Sequence, residues 1–415
     1  YWTDSIQACS GNSRRLWDCL NKIMLRSDSC PVQSNITADQ LATFFIDKVE
    51  TIRASTQQCQ PPFYTLQQGH SMNVFKPCTL ADIRCTVQRS PSKSCSLDPL
   101  PFSLLSMSLE HILPFLHHIC NSSLRAGQLP SSEKHAVITP ILKKANLDPD
   151  DVRNYRPISN LSFLSKLIER LVSQQLSAYH NENKLMPVYQ SAYRQHHSTE
   201  TAVLKILSDA YDAADTGMVT LLAMLDISAA FDTVDHQTLI LRLNRSYGIG
   251  GVVLRWLESF LTNRTQTITF AGKQSVLTNL RYGVPQGSVL GPLLYNLYTA
   301  DIIRIAASFG IHVHCYADDI QLYVHCLANN TTTAVARLLA CIAAIDSWLG
   351  SNRLKMNSDK TQLIWLGTRQ QLARVGSQPL HLHDGTAITP SPQARTLGVT
   401  IDSELTMVPH VNNIV

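Results

Sequence analysis

The feature that most constrains the fold is the segment HVHCYADDIQLYVH (312–325), in which two adjacent carboxylates interrupt an apolar pattern. Apolar and polar side chains alternate on both sides of Asp318 and Asp319, and this period of two predicts two short strands that form a hairpin. Strands disfavour aspartate, and two like charges about 4 Å apart repel by about 4 kcal/mol at an effective dielectric constant of about 20. The pair therefore needs a structural or functional reason.

A third aspartate stands at the end of another predicted strand. The run MVTLLAMLDI (218–227) is almost continuously apolar, as in a central buried strand, and Asp226 lies near its C-terminal end. If this strand pairs with the hairpin, the three carboxylates meet at one edge of a sheet. Carboxylate oxygens are hard ligands that suit Mg²⁺, and a pair of divalent ions there would offset the repulsion and bind nucleotide phosphates. From these residues alone, a plain Asp-Asp turn remains open.

Composition sets the broad class. The chain has 415 residues, 44% of them hydrophobic, which is enough for a sizeable core and two or three domains or subdomains. Its net charge of +4 permits nucleic-acid binding without demonstrating it. The 11 cysteines form no CxxC pair, which argues against a zinc site of the usual spacing and favours reduced, buried thiols. We find no apolar run of about 18 residues and no signal-peptide pattern, so we expect no membrane span and a location in the nucleus, the cytoplasm or both.

The hydrophobic periodicity predicts a mixed α+β fold with an antiparallel sheet. Residues 59–69 are predicted to be a linker, and Ser198 is predicted to cap a helix. Helices are predicted at 15–25, 38–52, 80–87, 102–124 (as one or two helices), 162–180, 198–214, 238–243, 252–261, 293–307 and 334–349. Strands are predicted at 135–144, 218–227, 265–272, 361–367 and 394–402, in addition to the hairpin.

Several segments together resemble a known family. LLAMLDISAAFDTVDH (221–236), GVPQGSVLGPLLYNLY (283–298), YADD (316–319), NRLKMNSDKTQLIWLG (352–367) and RTLGVTID (395–402) resemble, in this order, the palm motifs of a reverse transcriptase. Upstream, AVITPILKK, NYRPISNLSFLSKLIERLV and QSAYRQHHSTETAVL resemble its fingers segments. The resemblance is closest to the enzymes of non-LTR (LINE-type) retrotransposons, in the jockey and chicken-repeat group, and covers residues from about 98 to about 402.

The resemblance implies a right-hand polymerase fold with fingers, a palm with an antiparallel sheet, and a thumb that is missing or truncated. The implied divisions are a largely helical connector (1–95), fingers (96–217), palm (218–370), and primer-grip-like strands with a truncated start of the thumb (371–415). The reverse transcriptase domain as a whole would span about 125–402. An endonuclease domain is expected upstream in the full-length polypeptide.

The resemblance also implies roles for individual residues. Asp226, Asp318 and Asp319 would be the catalytic ligands of two Mg²⁺ ions, with Mn²⁺ as a possible substitute. Phe231 would be the aromatic gate that excludes a 2′-hydroxyl. Considered without the motif, Phe231 is equally compatible with a core side chain.

Other implied contacts concern the nucleotide and the primer. Lys143 or Lys144, with Arg156, would hold the triphosphate, and Lys360 would protonate the leaving pyrophosphate. Gln286 and Gly287 would lie over the incoming base and the template, and Tyr316 near the primer end. Leu397 and Gly398 would belong to a hairpin that grips the primer. Without the resemblance, the lysine pair is compatible with a solvated surface and GVPQG with an ordinary loop.

The implied function is an RNA-directed DNA polymerase that adds dNTPs to a DNA primer on an RNA template. A catalytically inactive or vestigial fragment that only binds nucleic acid is the alternative from a different class. Another palm polymerase, such as an RNA-dependent RNA polymerase, is a third possibility. Phe231 argues against that third possibility, because an enzyme that makes RNA needs space for the 2′-hydroxyl.

Overall fold

The structure, a computed structural model, describes residues 34–62, 64, 69–376 and 378–414. The helix predicted at 15–25 lies outside these residues. The helices are α1 Ala38–Ser55, α2 Leu80–Gln88, α3 Phe102–Met107, α4 Leu109–Ala126, α5 Phe163–Glu182, α6 Thr199–Asp215, α7 His236–Tyr247, α8 Gly251–Leu261, α9 Gly291–Thr299, α10 Asp301–Ser308, α11 Thr331–Ser351, α12 Arg369–Leu372 and α13 Val408–Asn412. The strands are β1 His135–Leu142, β2 Tyr155–Asn160, β3 Met218–Leu225, β4 Arg264–Phe270, β5 Lys273–Gln274, β6 Thr278–Leu280, β7 His312–Tyr316, β8 Asp319–Leu327, β9 Gln362–Leu366, β10 Leu380–His381, β11 Ala387–Ile388, β12 Gln393–Thr396 and β13 Val399–Asp402.

A four-stranded antiparallel sheet of order β7-β8-β3-β9 holds the aspartates. The apolar run forms β3, which pairs with β8 on one side and β9 on the other. Its side chains are buried on both faces, because Val219 and Leu221 pack into the main core while Leu222 packs into a second cluster behind the sheet. Burial on both faces explains why β3 lacks the alternation of the hairpin strands. The predicted pairing of this strand with the hairpin is confirmed.

A second sheet has the order β2-β1-β4-β5, with β6 paired to β4, and α1 packs against it. Strand β2 was not predicted, because Arg156, Pro157 and Asn160 conceal its pattern. Strands β4, β5 and β6 come from residues 264–280, inside the predicted palm region, yet they join the two strands of the predicted fingers region. This sheet is therefore not contiguous in sequence, and the domain boundaries remain a prediction.

Two predicted helices are each interrupted. The helix predicted at 102–124 forms α3 and α4, which meet at Ser108. The helix predicted at 293–307 forms α9 and α10, which meet at Ala300. Next to that junction the Asp301 carboxylate accepts a hydrogen bond of 2.6 Å from buried Arg242, an ion pair that the periodicity could not reveal. The predicted cap is confirmed, because the Ser198 hydroxyl accepts from the backbone N–H of Thr201.

Helix α11 is the one helix in the described ranges that is long and apolar enough to cross a membrane by length and composition. Its buried residues face the main core, where it packs on β8 and α10. A core helix satisfies the same criterion, so we interpret α11 as a core helix.

The cysteines in the described part of the chain are all free and mostly buried, as expected, and burial raises the pKa of the Cys315 thiol to about 12.

Candidate active site

Asp226 is the first residue after β3 and is fixed by a segment that precedes β9. The backbone N–H of Asn357 donates to the Asp226 carbonyl over 2.8 Å. The side-chain oxygen Oδ2 accepts from Asn357 Nδ2 over 3.1 Å and from Lys360 Nζ over 3.3 Å. The carboxylate therefore has a fixed position at the end of the buried strand, and the predicted Lys360 lies directly beside it.

Asp318 and Asp319 come from the tight turn of the β7–β8 hairpin. Tyr316 pairs with Asp319, so Ala317 and Asp318 form the turn, and Ala317 has φ +56°, a region that favours glycine. Buried Gln190 holds this strained residue, because its Oε1 accepts from the Ala317 N–H over 2.9 Å. Gln190 had no predicted role, and only the folded chain brings it to the turn.

The sheet register brings the three carboxylates together. Leu225 pairs with Ile320, so Asp226 and Asp319 follow one residue beyond that pair on neighbouring strands. Paired residues of antiparallel strands have Cα atoms about 5 Å apart. The separation thus falls well within the distance that one metal centre spans, and Asp226 contributes to the electrostatic environment of both other carboxylates.

Burial and repulsion between like charges destabilise the ionised carboxylates of Asp318 and Asp319, so a nearby positive charge would stabilise them. Burial raises the pKa of Asp318, and repulsion from Asp226 raises it further, whereas Arg156 and Lys360 oppose the rise. Asp319 is an exposed residue, but desolvation by the surrounding protein and the charges of Asp318 and Asp226 raise its pKa to about 6. The donor atoms are carboxylate oxygens, and the raised pKa values of Asp318 and Asp319 fit a hard divalent cation, whose charge would offset both the burial of these two groups and the repulsion on them.

The carboxylates are not yet arranged as ligands. In the described part of the chain, no three His, Cys, Asp or Glu side chains are grouped closely enough to hold a metal ion as they stand. Instead, the amino group of Lys360 and the amide of Asn357 bind Asp226. The donor chemistry fits, and side-chain rotation would have to complete the ligand set.

Several cationic side chains lie near the three aspartates. Lys143 follows β1 and Arg156 lies in β2, so the pairing of these strands places both at one end of the second sheet. Partial burial lowers the pKa of Lys143, and the charges of Lys48, Lys360 and Arg156 lower it further. Of the two predicted lysines, Lys143 therefore belongs to this cluster, while nothing in the structure connects Lys144 to it.

Lys48 was missed by the sequence analysis. It lies on α1, which is anchored on both sides of the cleft: Leu41 packs into the core of the second sheet, and Arg53 forms a 2.9 Å ion pair with Asp235. A groove of about 630 Å³ runs between α1 and the segment that holds Asp226, and both Lys48 and Asn357 line it. Lys48 is far from the three aspartates in the sequence, and no local sequence pattern distinguishes it from an ordinary surface lysine.

Phe231 occupies a rigid position near the aspartates. Its ring stacks on Tyr295 with centroids 4.5 Å apart and an interplanar angle of 21°. Tyr295 is fully buried in α9, so the ring beneath Phe231 cannot move aside. The backbone carbonyl of Phe231 also accepts from the Val284 N–H over 2.9 Å. This geometry suits a wall against a sugar, although a partly buried aromatic side chain would also pack in this way.

Gln286 and Gly287 contact the second sheet through the backbone. The Gln286 carbonyl accepts from the Ser159 N–H over 2.7 Å. A Cβ atom on Gly287 would lie 2.8 Å from the Ser159 carbonyl oxygen, and Gly287 has φ +106°. The close backbone approach that glycine permits here is thus made to β2. The Gln286 side chain donates to both carboxylate oxygens of Asp232, over 2.8 and 3.0 Å.

The predicted primer residues lie on neighbouring hairpins. Tyr316 ends β7 directly before the catalytic turn. Leu397 and Gly398 form the turn of the β12–β13 hairpin, with φ values of +48° and +88°. That hairpin packs behind the first sheet, and Thr396 accepts from Gln321 Nε2 of β8 over 3.1 Å. Both turns are therefore tied to the strand that follows the aspartates, and their contacts with a primer remain a prediction.

Gly287→Ala is expected to destabilise the protein by about 2 kcal/mol or more, because a methyl group would meet the Ser159 carbonyl at a backbone angle that strains any L-residue. Gly272→Ala is a matched control, since Gly272 has φ +77° and open space around it. Urea denaturation of both variants measures the difference. Equal losses of unfolding free energy would contradict the proposed contact.

A sheet edge at which Asp226 lies beside the Asp318–Asp319 turn, with Lys360 and Arg156 nearby, is typical of a palm-type nucleic-acid polymerase fold. Residues 141–401 match the family described as "Reverse transcriptase (RNA-dependent DNA polymerase)", and the chain belongs to this family. The fold is accordingly the polymerase fold of that family, with helices, an antiparallel sheet and a second, mixed sheet in which β1 and β4 run parallel. The family generally uses divalent metal ions.

Curated relatives from Drosophila melanogaster support the same placement. The chain is 31% identical over 392 residues to a protein named "Probable RNA-directed DNA polymerase from transposon BS", a match that covers 91% of this chain and 41% of that protein. It is 28% identical to "RNA-directed DNA polymerase from mobile element jockey", with coverages of 81% and 36%. It is 27% identical to the corresponding X-element protein, with coverages of 87% and 39%. The resemblance to the jockey group is confirmed, and the chain spans about two fifths of the length of these relatives.

Proposed function

We propose that this chain is the polymerase part of a non-LTR retrotransposon protein and adds dNTPs to a DNA primer on an RNA template. The observation that carries this proposal is the convergence of Asp226, Asp318 and Asp319 at one edge of the sheet, opposite Lys143 and Arg156. The carboxylates would bind the divalent ions, and the cationic side chains would bind the phosphate oxygens. The arrangement therefore suits a site for a triphosphate with bound metal ions.

In this proposal the three aspartates hold two Mg²⁺ ions. The ions, when bound, would supply the positive charge that favours attack of the primer 3′-hydroxyl on the α-phosphorus and stabilises the leaving pyrophosphate. Asp226 is positioned by Asn357, and the strained turn that carries Asp318 is positioned by Gln190. The chain thereby fixes the backbone positions of these two residues before any substrate binds, and rotation of their side chains would complete the ligand set.

The cationic residues take the other side of the nucleotide. Arg156 and Lys143 would bind the triphosphate oxygens, and Lys48 would add a further cation from α1. Lys360 lies beside Asp226 and would serve as the proton donor to the leaving pyrophosphate. Lys143 suits this role because partial burial, together with the charges of Lys48, Lys360 and Arg156, lowers its pKa, and a bound triphosphate would stabilise its charged form.

The remaining assignments follow from the same site. Phe231, backed by Tyr295, would exclude the 2′-hydroxyl of a ribonucleotide. The sheet that carries the aspartates would be the palm, and the second sheet the fingers; the truncated thumb, the upstream endonuclease domain and the intracellular location stay predictions. Template, primer and dNTPs would meet between the two sheets.

Primer extension on poly(rA)·oligo(dT) with Mg²⁺ tests the proposal. We expect incorporation of dTTP that depends on the divalent ion and stops when it is chelated. Binding of the template–primer without extension would favour the alternative, a fragment that only binds nucleic acid. Extension with UTP in preference to dTTP would favour a polymerase that makes RNA.

A further inference from the structure

Asp232 has no role in the proposed chemistry, yet it is tied to a residue that does. Its two carboxylate oxygens accept from Gln286 Nε2 over 2.8 and 3.0 Å. Asp232 follows the predicted gate Phe231, and Gln286 is predicted to lie over the incoming base. This side-chain contact therefore joins the turn after β3 to the loop before α9.

The backbone around this contact is already fixed. The Gly283 N–H donates to the Val234 carbonyl over 2.8 Å, and the Val284 N–H donates to the Phe231 carbonyl over 2.9 Å. On the far side, the Gln286 carbonyl is held by Ser159 of β2. These backbone hydrogen bonds hold the two segments together without the side-chain contact. The Asp232 carboxylate therefore acts mainly on the orientation of the Gln286 side chain.

A carboxylate can determine which end of an amide faces it. Ionised Asp232 only accepts hydrogen bonds, so the amide nitrogen of Gln286 must point towards it and the amide oxygen must point away. Among the described residues no donor reaches Gln286 Oε1, and this atom is not one of the buried side-chain atoms without a partner. The oxygen is therefore presented as a free acceptor in the cleft.

The orientation of Gln286 depends on the protonation state of Asp232. Its position is mostly enclosed, and burial raises its pKa to about 6, with a small further rise from Asp318, while the bond from Gln286 and the charge of Lys48 oppose the rise. Lys48 of α1 thus stabilises the ionised form of the group that orients Gln286. An asparagine at this position would keep the shape but lose the directional preference, because its amide both donates and accepts.

We propose that Asp232 is a positioning residue, which fixes the Gln286 amide so that its oxygen accepts a hydrogen bond from the incoming nucleotide. This inference rests on the proposed function, because it assigns a role within the same nucleotide site. It explains why a buried carboxylate is placed beside the aspartates of the site, where it adds to the repulsion.

A double-mutant cycle tests the proposal by single-nucleotide primer extension. Asp232→Asn is expected to lower kcat/KM for the dNTP about tenfold, the value of one well-placed hydrogen bond to a charged group. In a Gln286→Ala background, Asp232→Asn should cause no further loss, since its effect passes through the missing amide. A full additional loss in that background would overturn the proposal, as would an Asp232→Asn variant that matches the wild type.

Asp235→Asn is the matched control. Asp235 lies in the same turn region, caps α7 through the Thr238 N–H over 2.8 Å and pairs with Arg53, but does not contact Gln286. Any effect of Asp235→Asn should be the same with and without Gln286, which separates a general disturbance of the turn from the positioning effect. Coupling of Asp235 to Gln286 as strong as that of Asp232 would overturn the proposal.

A measurement without turnover distinguishes failure of this inference from failure of the proposed function. The side-chain amide of Gln286 can be assigned in nitrogen-15 NMR spectra by its absence from Gln286→Ala. We expect its protons to exchange slowly with solvent in the wild type and rapidly in Asp232→Asn. Rapid exchange in the wild type would overturn the positioning role, whether or not the protein extends a primer. Slow exchange in a protein without polymerase activity would sink the proposed function alone.

Discussion

Asp318→Asn is expected to lower the rate of dNTP incorporation by about a thousandfold or more, because loss of one ligand charge removes several kcal/mol of transition-state stabilisation. The substitution keeps the size of the side chain and the hairpin register, in which Tyr316 pairs with Asp319. Primer extension under single-turnover conditions measures the rate. Asp212→Asn, at an exposed position of α6, controls for removal of a carboxylate elsewhere and should retain full activity.

Stability shows whether the variant is folded. The folded-state pKa of Asp318 is raised, so its ionised form destabilises the folded protein at pH values above that pKa, and this cost disappears below the pKa of the unfolded chain. At neutral pH without divalent ions, Asp318→Asn should therefore unfold at the same temperature as the wild type or slightly higher. Wild-type activity in a folded Asp318→Asn protein would refute the assignment of this carboxylate to the metal site.

Phe231→Val is expected to reduce the preference for dNTPs over rNTPs by about a hundredfold, the upper range for a change of shape in an apolar pocket. The ring stacks on Tyr295 with centroids 4.5 Å apart, and its removal would leave space where a 2′-hydroxyl would otherwise collide. Competing incorporation of dTTP and UTP opposite the same template measures the ratio.

Phe231→Tyr is the control for this prediction, because it keeps the ring and should keep the selectivity close to that of the wild type. The melting temperature of each variant reports the loss of the stacked contact separately from the selectivity. A dNTP/rNTP ratio that is unchanged in Phe231→Val would show that Phe231 is only a packing residue.

The first sheet could be predicted because its signals are local. The continuous apolar run of β3 and the alternation around Asp318 are properties of short segments, and both strands formed where the pattern placed them. The pairing of β3 with β8 was a condition of the predicted metal site, and the register of the sheet satisfies it.

The parts that could not be predicted depend on contacts between distant segments. Lys48, Gln190 and Asp232 are residue types that are common on surfaces and in turns. Gln190 and Asp232 lie inside segments that resemble the family, but only the folded chain shows their contacts with Ala317 and Gln286. Strand β2 was missed because polar side chains and Pro157 occupy a strand whose partners, not its own pattern, determine its conformation. The ion pair between Arg242 and Asp301, beside the junction of α9 and α10, likewise forms only in the folded chain.

The assignment of Gly287 illustrates the same limit. The sequence resemblance explains the absence of a side chain by close approach to the base and template. In the structure the nearest backbone is that of Ser159, which belongs to the strand that was not predicted. The requirement for glycine could thus be predicted from its motif, but its partner could not.

Anomalous diffraction from crystals soaked in Mn²⁺ would show whether Asp226 and Asp318 bind divalent ions, since it locates the ions without any need for turnover. We expect two peaks about 4 Å apart, within bonding distance of Asp226 and Asp318, and their loss in crystals of Asp318→Asn. A wild-type map with no peak among these carboxylates at saturating Mn²⁺, or with peaks that survive in the variant, would contradict this expectation.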